Sequence, residues 1–273
     1  MSFNNGARWT NVPDPARKPA RRDTTDRRNA RDRKRLGRRP AKHLGWAGLR
    51  GDSSEEGAVQ LEDGVHPATT DDERHAIYRQ RYEIYVAEMG RYRSIADHEN
   101  RWLVEPIDAS SRLFYAVRDG ELVGSIRLSL GVDGALTREL IEKYSLDAFL
   151  DELTPDDIIV GERFMVNQSH RGSDALFSMF TTYMRLVNEL RIQIMIGDCE
   201  PHLLNVYQAL GFRPYAPQNI NSPEAGYLIP LVIVAEDIGY VRGLESPLAE
   251  VMADFGHDKR IPSCVTELVD RPS

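Results

Sequence analysis

A polar loop at residues 167–173 has the residue types and spacing of an anion-binding site. It lies between an apolar run and an amphipathic run, so it predicts a strand, a tight turn and the first turn of a helix. The free N–H groups and positive dipole end of such a helix favour phosphate. Arg171 adds charge, Gly172 lets the backbone approach a ligand, and Ser173 can cap the helix. An ordinary α/β loop would look similar, so both interpretations stay open.

The elements around this loop are predicted from the spacing of apolar residues. A helix over residues 174–190 places Leu176, Phe180 and Met184 on one face. A second helix opens at Pro201 and closes at Gly211. Strands are predicted in this half of the chain at residues 158–166, 192–197, 212–215 and 226–235.

The preceding part of the chain is predicted to begin with a capped helix. Residues 70–73, Thr-Asp-Asp-Glu, have the form of a capping box, and Gly90 is a suitable stop. Residues 51–69 are rich in Gly, Ser and Glu and predict a linker, so order is expected to begin at residue 70. Residues 113–130 predict a hairpin around an Asp-Gly turn, and residues 137–153 predict helix.

The order of these elements predicts the fold class. A hairpin followed by alternating strands and helices gives an α/β (α+β) fold with a sheet of mixed direction. Residues 91–112 leave a helix and an irregular loop both open. From the linker and the elements after it, we expect the chain to consist of a tail and linker at residues 1–60 and one folded domain at residues 61–273.

The composition is that of a globular, cytoplasmic protein. The chain is 41% hydrophobic and 28% charged. It contains no apolar run near the roughly 18 residues that a membrane span needs, and no apolar segment typical of a signal peptide. Its two cysteines form no disulfide framework and have no metal-binding spacing. Neither a metal nor a tightly bound cofactor is expected.

The first 50 residues carry most of the positive charge. They hold 15 Lys and Arg against four Asp and Glu, whereas the whole chain has a net charge of -7. With so few apolar residues this arm cannot offset its ordering entropy, and we expect it to be disordered. It could contact nucleic acid, an anionic membrane or an acidic protein, or it could be a solvated extension.

Several segments together resemble a known family. Residues 205–212, Asn-Val-Tyr-Gln-Ala-Leu-Gly-Phe, follow a predicted buried strand and resemble the end of the GNAT acyltransferase fold. Residues 78–86, 124–128 and 162–164 are similar to the branch that contains acyl-homoserine-lactone synthases and long-chain N-acyl amino acid synthases. Residues 227–236 resemble the second group more closely. The resemblance covers roughly residues 70–240 and implies a three-layer fold, a mixed central sheet flanked by helices.

The resemblance also implies roles for individual residues. The pantetheine arm of an acyl thioester would pair with the backbone of the central strand at Phe164, Met165 and Val166, while Arg171, Gly172, Ser173 and Asn205 would complete the donor site. Tyr207 would protonate the departing thiolate. Glu162 is the first candidate for the base that the amine needs, and His170 is the second.

Each catalytic candidate has a structural alternative. Tyr207 could be a core tyrosine, Glu162 could form a structural ion pair, and His170 could be a solvated loop residue. Cys199 could act as a nucleophile, but no His or other base lies at a sequence spacing from it that is typical of a nucleophile–base pair. Guanidinium groups suit the acceptor's carboxylate or the organisation of the acyl pocket, and the candidates are Arg79, Arg81, Arg127 and Arg163.

The donor loop departs from the family pattern at one position. Asp174 stands near the helix start, where a small residue is usual, and its charge would oppose the diphosphate of acyl-CoA. An acyl carrier protein presents a single phosphate and is itself acidic, so we expect a carrier-protein donor.

The predicted activity is the transfer of a medium or long fatty acyl group from that carrier, or from acyl-CoA, to the amine of an amino acid or related small molecule. Three alternatives stay open. The chain could be an acyl-homoserine-lactone synthase using S-adenosylmethionine, it could acylate a peptide or protein side chain, or it could bind acyl groups or nucleic acid without turnover.

Overall fold

A computed structural model describes residues 62–171, 174–215, 219–253 and 261–269, all within the compact unit Gly57–Ser273. The predicted basic arm at residues 1–60 lies outside these ranges, as do Gly172 and Ser173 of the predicted donor loop. No helix in the described ranges has both the length and the apolar character needed to cross a bilayer.

One mixed sheet forms the centre of the molecule. Its strands follow the order β1-β2-β3-β4-β5-β8-β6, and β7 pairs with β8. Only β4 and β5 run parallel, and the other pairs are antiparallel. The strands are β1 Gly64–Pro67, β2 Arg112–Arg118, β3 Glu121–Leu130, β4 Ile158–Val166, β5 Ile194–Cys199, β6 Arg213–Pro214, β7 Ile220–Ser222 and β8 Gly226–Val234.

Helices cover both faces of the sheet, so the predicted three-layer fold is confirmed. One face packs against α4, α5, α6 and α7, and the other against α1, α2, α3 and α8. The helices are α1 Asp71–Arg81, α2 Arg138–Lys143, α3 Asp147–Leu150, α4 Ala175–Leu190, α5 Leu204–Leu210, α6 Ile238–Gly243, α7 Ala249–Ala253 and α8 Ser263–Val269. Alternation of side chains along β4 and β5 supplies apolar residues to both layers.

The start of the domain differs from the sequence prediction in one respect. The capping box is confirmed: Thr70 accepts a hydrogen bond from the backbone N–H of Glu73, and the Glu73 carboxylate accepts one from that of Thr70. The expectation that order begins at residue 70 is wrong, because residues 64–67 form β1 and pair with β2. All four side chains of β1 are half-buried, so the strand has no alternating pattern that a sequence could reveal.

The helix after the capping box changes its winding midway. It continues from α1 into a π-helix at Tyr82–Glu88, and Gly90, with φ of 72°, follows at its end. A π-helix is rare and frequently marks a functional site. Here it carries Tyr85 toward the space between β4 and β5.

The parallel pairing of β4 and β5 is short. It joins Ile158, Ile159 and Val160 to Ile194, Met195 and Ile196, and it ends there. Beyond this point β4 pairs with β3 and β5 with β8, so the two central strands separate into an open V.

A β-bulge lies in the separated part of β4. Ile126 of β3 stands opposite both Arg163 and Phe164, because Arg127 pairs with Glu162 and Ser125 with Met165. Arg163 has φ of 54°, a left-handed conformation that costs a non-glycine residue about 1–3 kcal/mol. A bulge bends its strand, and we infer that the contacts of the Arg163 side chain stabilise this conformation.

Gly131, just after β3, provides a test of packing beside the sheet. A Cβ atom there would lie 1.7 Å from the carbonyl oxygen of Pro155. We expect Gly131→Ala to lower the free energy of unfolding by about 3 kcal/mol or more, because the backbone would have to move. The control is Gly239→Ala in α6, where a Cβ meets nothing within 4 Å. Urea unfolding measures both variants, and equal stabilities would contradict the packing argument.

Candidate functional site

The open V between β4 and β5 forms a cleft with two chemically different sides. Because side chains alternate along a strand, neighbouring residues of each strand face opposite sides of the sheet. The side toward α4 and α5 is mostly apolar and is lined by Ile126, Gly161, Phe164, Phe180, Tyr183, Gly197, Cys199, Tyr207 and Phe212. The other side and the mouth are charged and are lined by Arg91, Lys143, Glu162, Arg163, Asp198 and Glu200.

Aromatic rings form the apolar side. Phe180 of α4 lies at the centre, with its ring centroid 4.7 Å from that of Phe164 and 6.0 Å from that of Tyr207. Tyr207 also packs edge-on against Phe212, at 5.5 Å. These contacts hold Tyr207 at the cleft wall. The sequence predicted α4 and its apolar face, and the catalytic role that it assigned to Tyr207 stays a prediction.

The Tyr207 hydroxyl is available to a ligand. It makes no hydrogen bond to any residue in the described ranges, although Tyr207 is half-buried and lines the cleft. Burial, and after it the negative charge of Asp198, raises the pKa of Tyr207 well above its usual value. The phenol therefore stays protonated at neutral pH and can donate to developing negative charge.

Glu162 lies on the charged side, at the centre of an ion-pair network. Oε2 accepts a hydrogen bond from Arg127 at 2.9 Å, and Oε1 accepts from Lys143 at 2.6 Å and Tyr144 at 3.2 Å. Burial alone would raise the pKa of Glu162, but the charges of Arg127 and Lys143 outweigh it and hold the pKa well below its usual range. The role of Glu162 as a base stays a prediction, and both of its oxygens are occupied.

Arg163 is fixed by contacts from three directions. Its Nε and Nη2 donate to Glu105 at 2.6 and 2.5 Å, and Nη1 donates to the Tyr92 hydroxyl at 2.7 Å. The guanidinium also lies 4.4 Å from the centroid of the Tyr92 ring and 5.5 Å from that of Tyr85. The π-helix and the loop after it thus hold the side chain of the bulged residue.

Two further arginines predicted as site residues are buried in the same network. Arg127 binds Glu105 at 2.8 Å and Asp108 at 3.2 Å in addition to Glu162. Arg81 is fully buried and binds both oxygens of Asp108 at 2.8 Å. Neither arginine lines the cleft, so the structure places both beneath it.

Several polar residues of the site were not found from the sequence. Asp198 accepts a hydrogen bond from Tyr144 at 2.6 Å and lies 3.3 Å from Lys143. Its only sequence signal was its position at the end of a buried strand. The residues missed are Lys143, Tyr144 and Asp198, and also Glu105 and Asp108 of the region left open at residues 91–112.

The other predicted residues that the structure describes lie outside the cleft lining. His170 is half-buried beside Ser169, whereas Asn205 and Arg79 are exposed on α5 and α1. Met165 and Val166 pair with Ser125 and Gly124 of β3, and the Val166 carbonyl accepts a hydrogen bond from Arg171 at 3.2 Å.

Cys199 has the properties of an inert buried thiol. It is buried on the aromatic side of the cleft, and burial with the nearby charge of Asp198 raises its pKa to about 12. A thiol with this pKa is not a thiolate near neutral pH, so its environment does not favour covalent catalysis by Cys199.

The predicted donor loop is crossed by two ion pairs. Arg171 binds Glu88 of the π-helix at 2.8 Å, and Arg118 binds Asp174 at 3.0 Å. Asp174 is 73% exposed at the start of α4, so a carboxylate does stand at this helix N-terminus.

The ion pair of Glu105 predicts a pH dependence of stability. Burial would raise the pKa of Glu105, but the hydrogen bonds and charge of Arg163 dominate and lower it to about 2. A depressed pKa contributes stability that is present above the ordinary value of 4.5 and is lost as pH falls toward 2. We expect Glu105→Gln to be less stable than wild type by roughly 3 kcal/mol at pH 7.

That deficit should shrink as the pH falls from 5 toward 2, which urea unfolding over this pH range would measure. Glu121→Gln, at an exposed position of β3, is the control. A deficit that stays constant with pH would show that the carboxylate of Glu105 is not held ionised.

Comparison with solved structures agrees with the fold. The CoA-dependent acyl-homoserine lactone synthase BjaI superimposes with a TM-score of 0.54 at 12% identity, covering 76% of this chain and 99% of BjaI. MesI, also a CoA-dependent acyl-homoserine lactone synthase, gives 0.50 at 22% identity, covering 72% and 97%. FeeM, an N-acyl amino acid synthase from uncultured soil microbes, gives 0.47 at 18% identity, covering 68% and 96%.

Comparison with protein families is more specific. No curated protein matches the chain significantly. The family model of the N-acyl amino acid synthase FeeM matches residues 76–232, which span β2 to β5, the bulge at Arg163 and the helix of Tyr207. The resemblance stated from the sequence is thereby confirmed, and the chain belongs to the FeeM family of N-acyl amino acid synthases and is an acyltransferase that forms amides.

Proposed function

We propose that this protein transfers a medium or long fatty acyl group from a phosphopantetheine thioester to the amine of an amino acid or a related small molecule. The observation that carries the proposal is the two-sided cleft, with an aromatic wall bearing the free Tyr207 hydroxyl and a charged wall across from it. The aromatic side suits an acyl chain, since burying apolar surface is favourable. The charged side suits a polar amine.

The open edge of β4 suits the donor's pantetheine arm. Past Val160 this edge has no strand paired to it on the β5 side within the described residues. An extended chain carrying amide groups can add to such an edge through main-chain hydrogen bonds. That placement would bring the thioester near Phe164 and Tyr207.

Tyr207 would act when the carbon–sulfur bond breaks. Attack by the neutral amine forms the carbon–nitrogen bond, and collapse of the tetrahedral intermediate expels the thiolate. The Tyr207 hydroxyl, which is protonated and has no hydrogen bond to a described residue, would donate its proton to that sulfur.

The ion pairs near α4 bear on which donor is used. Acyl-CoA carries a diphosphate, whereas an acyl carrier protein presents one phosphodiester. Asp174 and Glu88 add negative charge beside the start of α4, and Arg118 and Arg171 are already paired with them. Like-charge repulsion would weaken binding of the diphosphate more, which supports a carrier-protein donor.

Product formation in cells tests the proposed function. We expect cells that overproduce wild-type protein to accumulate an N-acylated amine, detected by mass spectrometry of lipid extracts, which would identify both donor length and acceptor. Tyr207→Phe should reduce turnover by about 10²-fold, since it removes one proton donor. Tyr227→Phe, exposed on β8, is the matched control. The proposal fails if wild type yields no acylated amine, and the role of Tyr207 fails if its variant keeps full activity.

Substitution of Asp174 tests the choice of donor. Asp174→Ala should raise kcat/KM for acyl-CoA by about 3–10-fold, because one opposing charge is removed, and should change kcat/KM for the acyl carrier protein thioester much less. Glu139→Ala, an exposed acid in the first turn of α2, controls for net charge. Wild-type turnover of acyl-CoA that equals turnover of the carrier thioester would contradict a carrier-protein donor.

A further inference from the structure

We propose that Asp198, at the end of β5, is the catalytic base that accepts the proton lost by the acceptor's nitrogen. This inference rests on the proposed function and names a catalytic residue for it. It starts from the two carboxylates that lie on the charged side of the cleft, Glu162 on β4 and Asp198 on β5.

Both oxygens of Glu162 already accept hydrogen bonds from buried or partly buried donors. Arg127 occupies Oε2, while Lys143 and Tyr144 occupy Oε1. Its side chain is 5% exposed. An amine nitrogen would compete with a cation for this carboxylate, and displacing that cation would leave it without its partner.

Asp198 differs from Glu162 at one oxygen. Tyr144 and Lys143 both contact Oδ2, at 2.6 and 3.3 Å. Oδ1 accepts no hydrogen bond from any described residue, and the side chain is 17% exposed in the cleft. One oxygen is therefore anchored by two donors, and the other stays open to a ligand.

The position of Asp198 across the V fits this role. Its neighbour Cys199 faces the aromatic side, so Asp198 faces the charged side because side chains alternate. Tyr207 lies on the aromatic side, close enough for the charge of Asp198 to act on its hydroxyl. A thioester held between the separated strands would thus have a proton acceptor on one side and a proton donor on the other.

Glu162 then has a positioning role. Lys143 and Tyr144 each contact both carboxylates, so Glu162 fixes the two groups that anchor Oδ2 of Asp198. A base held in one orientation by such partners needs no rearrangement when the substrate binds.

The proton balance of the step is complete. Asp198 takes one proton from the acceptor ammonium, and the neutral nitrogen forms a bond to the thioester carbon. As the carbon–sulfur bond breaks, sulfur takes the proton of Tyr207, which regains one from the nitrogen of the intermediate. Asp198 returns its proton to water. An ammonium and a thioester thus become an amide, a thiol and one released proton.

Hydroxylamine as the acceptor distinguishes a catalytic base from a structural residue. Its nitrogen is already neutral near pH 7, so loss of a base should slow its reaction little, whereas loss of a structural residue should slow the reaction with any acceptor. The assay follows thiol release from two donors, dodecanoyl acyl carrier protein and dodecanoyl-CoA. Each of the amino acids found in proteins, and then hydroxylamine, is supplied as the acceptor. The rate measured without enzyme is subtracted. The proteins are wild type, Asp198→Asn and Glu162→Gln, with thermal unfolding as the check on folding.

We expect Asp198→Asn to lower kcat with the preferred amino acid by about 10²-fold or more, with a much smaller change in KM. Its rate with hydroxylamine should stay within about threefold of wild type. Glu162→Gln should lower both rates by similar factors, because it disturbs the site without removing the base.

The inference is overturned if Asp198→Asn loses activity equally with both nucleophiles, or if it keeps full activity with the amino acid. It is also overturned if Glu162→Gln is the variant that loses activity with the amino acid but keeps it with hydroxylamine. Those outcomes leave the proposed function intact. If wild type consumes neither thioester with any nucleophile, the proposed function fails, and the inference fails with it.

Discussion

The early end of the pairing between β4 and β5 is the constraint on which the rest of the site depends. Three residues of each strand pair, and beyond Val160 and Ile196 the strands separate. Continuous pairing would close the cleft and occupy the backbone edge that a donor can use. The bulge at Arg163 bends β4 at this place, and a left-handed residue there needs compensating contacts. Glu105, Tyr92 and Tyr85 supply these contacts to the Arg163 side chain. Arg163 therefore contributes both to the shape of the cleft, through its backbone, and to the charge of the wall, through its side chain.

The cations on the charged wall of the cleft are paired with carboxylates of the same protein. Each cation in the described cleft lining has a carboxylate partner: Arg91 binds Glu200, Lys143 binds Glu162 and Asp198, and Arg163 binds Glu105. Buried pairs of this kind add little stability relative to well-packed apolar residues, because desolvation offsets their attraction, although removing one partner leaves the other charge buried and unpaired. Their value here is orientation, since the paired groups are fixed before substrate arrives. The same neutrality disfavours a highly charged ligand on this wall.

The fold was predictable from sequence where local signals agreed with tertiary contacts. The capping box at Thr70, the Asp119-Gly120 turn and the apolar run of β4 each specify local structure by themselves, and all three are present. Strand β1 was missed because its pairing comes from backbone hydrogen bonds to β2, which leave no side-chain pattern. The π-helix at Tyr82–Glu88 has no known pattern of residues either, and the sequence predicted an uninterrupted helix.

The candidate site was less predictable, for a related reason. Tyr207 and Glu162 were found through motifs, but the importance of a carboxylate depends on which of its oxygens are already bonded. Glu105, the adjacent pair Lys143 and Tyr144, and Asp198 come from three distant parts of the sequence and join one network only after the sheet forms. Their roles follow from contacts more than from residue type: Glu162 has the position expected of a base, while Asp198 has the open oxygen. A strand pair that separates presents two carboxylates to one cleft, and the hydrogen bonds from the described residues reach both oxygens of Glu162 but only one oxygen of Asp198.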